Sequence, residues 1–92
     1  MRDEDFEWDD RKAIINERRH RIAFGHARRV FADPQGIDGV DPELDEMRFS
    51  RLGLANGFLL FVVYTERGGR IRIISARMAT KHEQDDYVSQ NR

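Results

Sequence analysis

Apolar residues recur along this chain with two different periods, and the places where the period changes mark out its elements. Arg70 to Arg77 reads RIRIISAR, in which Arg72 and Arg77 bracket Ile73, Ile74, Ser75 and Ala76. That run is too apolar and β-branched for a solvated basic tail and predicts a strand that carries arginines. Phe58 to Thr65 is apolar on both faces and predicts a central strand. Glu66-Arg67-Gly68-Gly69 joins the two as a tight hairpin turn. Ala55-Asn56-Gly57 is a second turn signal, and ahead of it Met47 to Leu52 alternates, with Glu46, Arg48 and Ser50 on one face and Met47 and Phe49 on the other. Phe6-Glu7-Trp8 is short and aromatic, an edge strand or a packing anchor.

Helical spacing governs the rest. Asp9 or Asp10 is placed to cap a helix running to about Arg21. Its Lys12, Asn16, Arg19 and His20 fall within roughly 80° of arc, a polar stripe on an otherwise weakly amphipathic helix. A second helix, about Ala23 to Ala32, sets Phe24, Ala27, Val30 and Phe31 on one side and turns His26, Arg28 and Arg29 away. Asp33-Pro34 ends it. Gln35 to Asp45 holds Gly36, Gly39 and Pro42 among acids and reads as an exposed loop. Thr80 with Glu83 is a capping-box pattern that starts a last helix, Lys81 to about Gln90, carrying Tyr87 and Val88.

The fold class is therefore α+β: two N-terminal helices, an antiparallel meander of three to four strands and a C-terminal helix. We expect one domain over residues 1–92, with residues 1–5 as a flexible acidic leader. The helices are expected on one side of the sheet, which leaves the other face open to a ligand.

Charge sharpens that picture. The net charge of −1 conceals alternating blocks. Residues 11–31 carry seven bases against Glu17, and residues 48–81 carry seven against Glu66; residues 32–47 hold six acids and no base. The basic blocks coincide with helices and strands, so a neutral total leaves room for a basic working face. Arginines held on a strand beside a helix start suit an anion with several oxygens, phosphate first among them. Cysteine is absent, and His20, His26 and His82 show no ligand spacing, so neither a metal nor another cofactor is expected. The longest apolar run, Phe58 to Tyr64, is far short of a membrane span, and the acidic opening has no apolar core; a soluble cytoplasmic protein is the expectation.

Scattered positions in a consistent order resemble the BrnT family of bacterial toxins. They include Phe6-Glu7-Trp8-Asp9 with Lys12, then Asn16, Arg19-His20-Arg21 and Phe24, then Val30 to Pro34 and Glu46-Met47-Arg48 with Gly53. Val62 to Arg67 and Arg72 to Arg77, with Ala79-Thr80, Glu83 and Tyr87, are the nearest segments. Arg21 departs from the family by standing where a glycine is usual, and Met78 by standing where another Arg is common. The resemblance implies a RelE-like fold and a ribonuclease that forms a hetero-oligomer with a ribbon-helix-helix-type antitoxin. Operator DNA is reached only through that antitoxin.

A ribonuclease without metal uses the RNA's own 2′-hydroxyl against the adjacent phosphate, so it needs charge stabilisation and proton transfer. Bidentate arginines suit charge stabilisation, and we expect Arg48, Arg67, Arg72 and Arg77 at the phosphates, with Glu46, His20 or Tyr87 as proton-transfer candidates. Arg19, Lys12 and Lys81 extend the RNA-binding surface. Regular alternation puts Arg72 and Arg77 on opposite faces. Both serve only if the strand bends or ends before Arg77; the reading favours an end, with Arg77 in the turn before the last helix. Competing readings are cross-strand ion pairs for Glu46 with Arg48 or Arg72, a helix-dipole contact for His20, and core packing for Trp8, Phe31 and Tyr64. A non-catalytic RNA- or protein-binding module that uses the same arginines is the alternative function.

Overall fold

A computed structural model describes residues 1–42 and 47–92. The elements run β1 (Phe6–Glu7), α1 (Asp10–His20), α2 (Phe24–Ala27), a 3-10 helix (Arg28–Ala32), β2 (Ile37–Pro42), β3 (Met47–Ala55), β4 (Phe58–Arg67), β5 (Arg70–Met78) and α3 (Lys81–Gln90). Among the described residues the strands form a mixed five-stranded sheet in the order β1-β5-β4-β3-β2. Only β1 runs parallel to its neighbour, β5.

The α+β class and the β3-β4-β5 meander agree with the sequence, but the sheet is wider than three to four antiparallel strands. The segment Gln35 to Asp45, read as a loop, contributes β2, which pairs with Met47–Leu52 of β3. Its acids and glycines carry no strand signal; a cross-strand arginine holds it instead. Arg51 Nη1 donates to both carboxylate oxygens of Asp38 at 2.8 Å, while its Nε and Nη2 donate to the carbonyls of Val30 (2.9 Å) and Asp33 (2.6 Å). At the opposite edge residues 1–5 lie back against β1. Arg2 bridges Glu7, and the Asp3 carboxylate accepts from the Phe6 N–H at 2.7 Å and pairs with Arg28 at 3.3 Å.

The second helix is also not the expected single one. One α-turn gives way to a 3-10 helix, and the buried residues Phe24, Ala27 and Val30 are spaced strictly by three. A 3-10 helix aligns positions i and i+3, so the apolar stripe itself favours the tighter winding. This segment lies on β3 so closely that a Cβ at Gly53 would stand 3.1 Å from the Val30 carbonyl oxygen.

The main core joins Ile22, Phe24, Ala27 and Val30 to Leu60, Val62, Ile73 and Ala76, with Trp8 and Phe31 packed against it. Trp8 meets Phe24 edge-on at 5.8 Å, and Phe31 meets Tyr64 at 4.8 Å. A second cluster, Leu52, Ala79 and Tyr87 with Leu59 and Phe61, forms under α3. Adjacent residues of a strand point to opposite faces, so Leu60 and Val62 mark one face and Leu59 and Phe61 the other. The helices thus do not share one side. The first two and the 3-10 helix cover one face, and α3 covers part of the other.

Weak amphipathicity in α1 has a physical counterpart. Ile14 and Ile15 are exposed, and the buried residue of the helix is Asn16. Its side-chain amide donates to Ile22 O (3.0 Å) and Ala76 O (2.9 Å) and accepts from Ala76 N–H (3.1 Å). α1 is therefore docked on the β5 edge by an amide that imitates a neighbouring strand.

Arg21 closes α1 in the left-handed region at φ 59°, its N–H donating to Glu17 O. A side chain there is strained, whereas glycine is not. Arg21→Gly is expected to stabilise the protein by about 0.5–1 kcal/mol; a lowered denaturant midpoint would show that the arginine side chain contributes more than its backbone costs.

Candidate nucleic-acid interface

The geometry of the open face is set by one extra residue. β4 and β5 pair as Val63↔Ser75 and then Tyr64↔Ile73, so Ile74 has no opposite number and forms a bulge. A bulge shifts the side-chain phase of a strand by one. Arg77, opposite Phe61, and Arg72, opposite Thr65, consequently point to the same face. The sequence reading offered a bend or an end before Arg77 and favoured the end; the bend is what occurs, and Arg77 lies within β5.

Successive rows cross this face. Glu7, Arg72 and Thr65 form one row, and the β3–β4 register continued by a residue adds Arg48 beside Thr65. The next is Gly39, Ser50, Val63 and Ser75, a half-buried floor of small side chains. The third is Ile37, Leu52, Phe61 and Arg77, over which α3 packs. The Arg72 and Arg77 rows are four residues apart on β4, about 13 Å, so the two arginines flank the floor rather than touch each other.

Both guanidiniums are positioned by carboxylates. Arg72 Nη1 donates to Glu7 at 3.0 Å. Arg77 donates to both oxygens of Glu83 (2.8 and 3.0 Å) and to Met78 O (3.2 Å), and lies 4.4 Å over the Phe61 ring. Glu83 in turn accepts from the Thr80 N–H at 2.8 Å, and Thr80 Oγ1 accepts from the Glu83 N–H, completing the capping box. The Arg77 hydrogen bonds hold the Glu83 carboxyl below its ordinary range against the effect of burial, and the same bonds raise Arg77. A guanidinium has five N–H groups. Arg72 thus retains four donors for a ligand and Arg77 two, each in a fixed orientation.

The floor continues into a cleft at the sheet edge. Lys12, Ile15, Asn16, Arg19 and His20 of α1 face Ile74 and Ser75 of β5 across a cavity of about 160 Å³. The polar stripe expected on this helix is therefore one wall of a cleft, with Lys12, Arg19 and His20 brought together. Among the described residues, no ion pair engages any of the three.

Other expected site residues lie apart. Arg67 is at the β4–β5 hairpin tip. Lys81 is exposed at the start of α3 and pairs with Asp85 at 2.6 Å. Glu46 lies outside the described residues. Tyr87 is buried beneath α3, its hydroxyl donating to Asp33 at 2.7 Å. Burial, and then the Asp33 carboxylate, push it up to about 12. Asp33 is itself lowered: burial raises it, but the Leu54 N–H, the Tyr87 hydroxyl and the Gln35 N–H together outweigh that. Tyr87 is thus a tie between α3 and the turn after the 3-10 helix, outside the arginine-flanked floor. Because its folded pKa exceeds the unfolded value of 10.0, its contribution to stability is complete below pH 10 and is lost as pH rises towards about 12. Burial raises Tyr64 as well. Absorbance titration should therefore show both tyrosines ionising above 10.0, and Tyr87→Phe should remove the component at about 12. Loss of the other component instead would contradict the buried bond.

Sequence reasoning missed the floor residues Ser50 and Ser75 and the carboxylates Glu7 and Glu83 as arginine partners. Nothing local marks a small residue as a floor; only the register does. Among the described residues, no group of His, Asp or Glu side chains is arranged to hold a metal ion, and no helix is long and apolar enough to cross a membrane.

A comparison with curated proteins gives no match. Residues 8–83, from the end of β1 to the first turn of α3, match the family model described as the BrnT ribonuclease toxin of type II toxin–antitoxin systems. That span takes in α1, the whole arginine-bearing meander and Glu83, so the chain belongs to the BrnT family of ribonuclease toxins.

Proposed function

We propose that this protein is a metal-independent endoribonuclease toxin with a RelE-like fold that arrests growth in the cytoplasm. A ribbon-helix-helix-type antitoxin, which also carries the pair to operator DNA, covers the basic face and neutralises it. The observation that carries this reading is the Ile74 bulge, which brings Arg72 and Arg77 to one face beside Arg48, flanking a floor low enough for a nucleotide strand.

RNA lying on Ser75, Val63 and Ser50 meets Arg77 at one end and Arg72 with Arg48 at the other. Attack of a 2′-hydroxyl forms a P–O2′ bond and breaks the P–O5′ bond. Charge that builds on the non-bridging oxygens is met by donors already fixed in place, which is where preorganised groups contribute most. The 2′-hydroxyl proton must leave and the 5′-oxygen must gain one. His20, in the cleft beside Ser75, is the described candidate for that transfer; Glu46 remains the other, and Tyr87 is committed to Asp33. Lys12 and Arg19 line the approach to the cleft.

Two measurements test this. Purified protein in excess EDTA should leave 2′,3′-cyclic phosphate and 5′-hydroxyl ends and should spare an RNA with 2′-deoxyribose at the cut; cleavage of that substrate, or dependence on an added metal, rejects the mechanism. His20→Gln should slow cleavage by about 100-fold near neutral pH. An unchanged rate would pass the proton-transfer role to another group.

A further inference from the structure

One stretch of the β5 edge has no strand beside it. β1 pairs with Ile71 and Arg72 and ends there, and the Asn16 amide takes both backbone groups of Ala76. Between these two covers, Ile74 and Ser75 open into the cleft of about 160 Å³ beside α1. The bulge at Ile74 thus does more than turn Arg72 and Arg77 to one face; it sets an isoleucine in the cleft wall. Ile15 stands on the α1 wall of the same cleft and is 53% exposed, although its neighbours there, Lys12, Arg19 and His20, are polar. Docking of α1 does not account for it, because Asn16 makes that contact. Two β-branched side chains, one on each wall, are stiff at χ1 and make a preformed apolar slot. The cleft is about half of the ~300 Å³ at which sites for drug-sized ligands begin, so it suits a single flat ring system.

Building on the ribonuclease reading, we propose that this slot takes one nucleobase of the RNA and selects guanine. Ser75 belongs both to the floor and to the cleft, so a nucleotide lying over it turns its base off the sheet and between Ile15 and Ile74. Asn16 is fully committed to Ile22 and Ala76 and does not read the base. Its edge is met instead by Arg19 and Lys12, side chains with donors and no acceptor. Guanine presents two adjacent acceptors, O6 and N7, which an arginine fork meets with two hydrogen bonds. On the corresponding edge adenine sets a donor beside N7, cytosine offers a donor, and uracil has a single acceptor. Contacts to phosphate alone would carry no such preference.

The test is fluorescence anisotropy with labelled 2′-O-methyl hexauridylate, which binds without being cut, and the same oligomer carrying one central guanine, adenine or cytosine. The wild-type protein should bind the guanine oligomer about tenfold more tightly than the other three. Ile15→Ala, at an exposed helical position that alanine suits, should keep the melting temperature and the all-uridine affinity but cut the guanine preference to below about threefold. The slope of log affinity against log salt should stay at the wild-type value, because no charge is removed. Arg19→Lys, which keeps the charge without the planar fork, should also lose the preference at an unchanged slope. The slot is overturned by a wild-type protein with no guanine preference, by a preference that survives either substitution, or by an equal fall for all four oligomers in Ile15→Ala. Those outcomes leave the nuclease reading in place, since cleavage in EDTA tests that separately. Guanine-selective binding by a protein that never cuts RNA would remove the nuclease and keep the slot. Failure of the wild-type protein to bind RNA at all would remove both.

Discussion

Arg72→Ala and Arg77→Ala are each expected to reduce RNA cleavage by about 10²–10³-fold, the cost of removing one preorganised donor from a developing oxyanion. Arg72 contributes a single hydrogen bond to Glu7, but that carboxylate keeps only 15% of its side-chain surface exposed. Arg72→Ala leaves it largely buried without this partner and should also lower stability. Arg72→Lys, which keeps a charge there without the planar fork, separates the two losses. Arg77 has a larger structural part, because Glu83 loses a bidentate partner and Phe61 a stacked cation. Arg77→Lys resolves the two contributions: it keeps a charge near Glu83 but gives up the planar fork, so stability should recover more than activity. Kinetics on a defined RNA, beside thermal unfolding of each variant, read both quantities. Cleavage at the wild-type rate by both alanine variants would leave this face without a catalytic part. The pair also carries a pH signature. Glu83 is lowered from 4.5, so its contribution to stability is present above that ordinary value and is lost as pH falls through the folded pKa. In Arg77→Ala that acid-side loss should shrink.

Asn16→Ala should have the largest effect on stability of any polar substitution considered, about 2–4 kcal/mol. Three buried hydrogen bonds are removed, and Ile22 O with the N–H and C=O of Ala76 lose that partner. For a chain of this length that is a fall in melting temperature of roughly 10–20 °C. The functional consequence follows from position. Asn16 is the latch that holds α1 against β5, and the cleft wall of Lys12, Arg19 and His20 belongs to α1. Cleavage should therefore fall in Asn16→Ala even at temperatures where the sheet is intact. A destabilisation below about 1 kcal/mol would mean that α1 is held by its apolar residues after all.

The resemblance to a nuclease family was legible because it rests on residue types at set spacings, which survive without any knowledge of the sheet. The capping box at Thr80 and Glu83 was legible for a similar reason, since both partners lie within one helical turn. What Glu83 does with its other oxygen was not. Its bond to Arg77 crosses from helix to strand, and a carboxylate three residues into a helix looks the same with or without that partner. Tyr87 illustrates the same limit. An aromatic hydroxyl near the arginines in sequence looks available for proton transfer, yet α3 turns it inward to Asp33, 54 residues away.

By itself the sequence determined the elements that depend on short windows: the arginine-bearing hairpin, the central apolar strand, the polar stripe of α1 and the capped last helix. Local periodicity, turn residues and caps act over a few residues and can be read there. Only the tertiary structure decided which face each residue serves. The unpaired Ile74, the β2 strand held by Arg51, the burial of Asn16 and the crossing of α3 to the second face all arise from contacts between distant segments. A shift of one residue in register exchanges the two faces of a strand, so the pairing between β4 and β5, rather than the composition of either, puts Arg72 and Arg77 on the same surface.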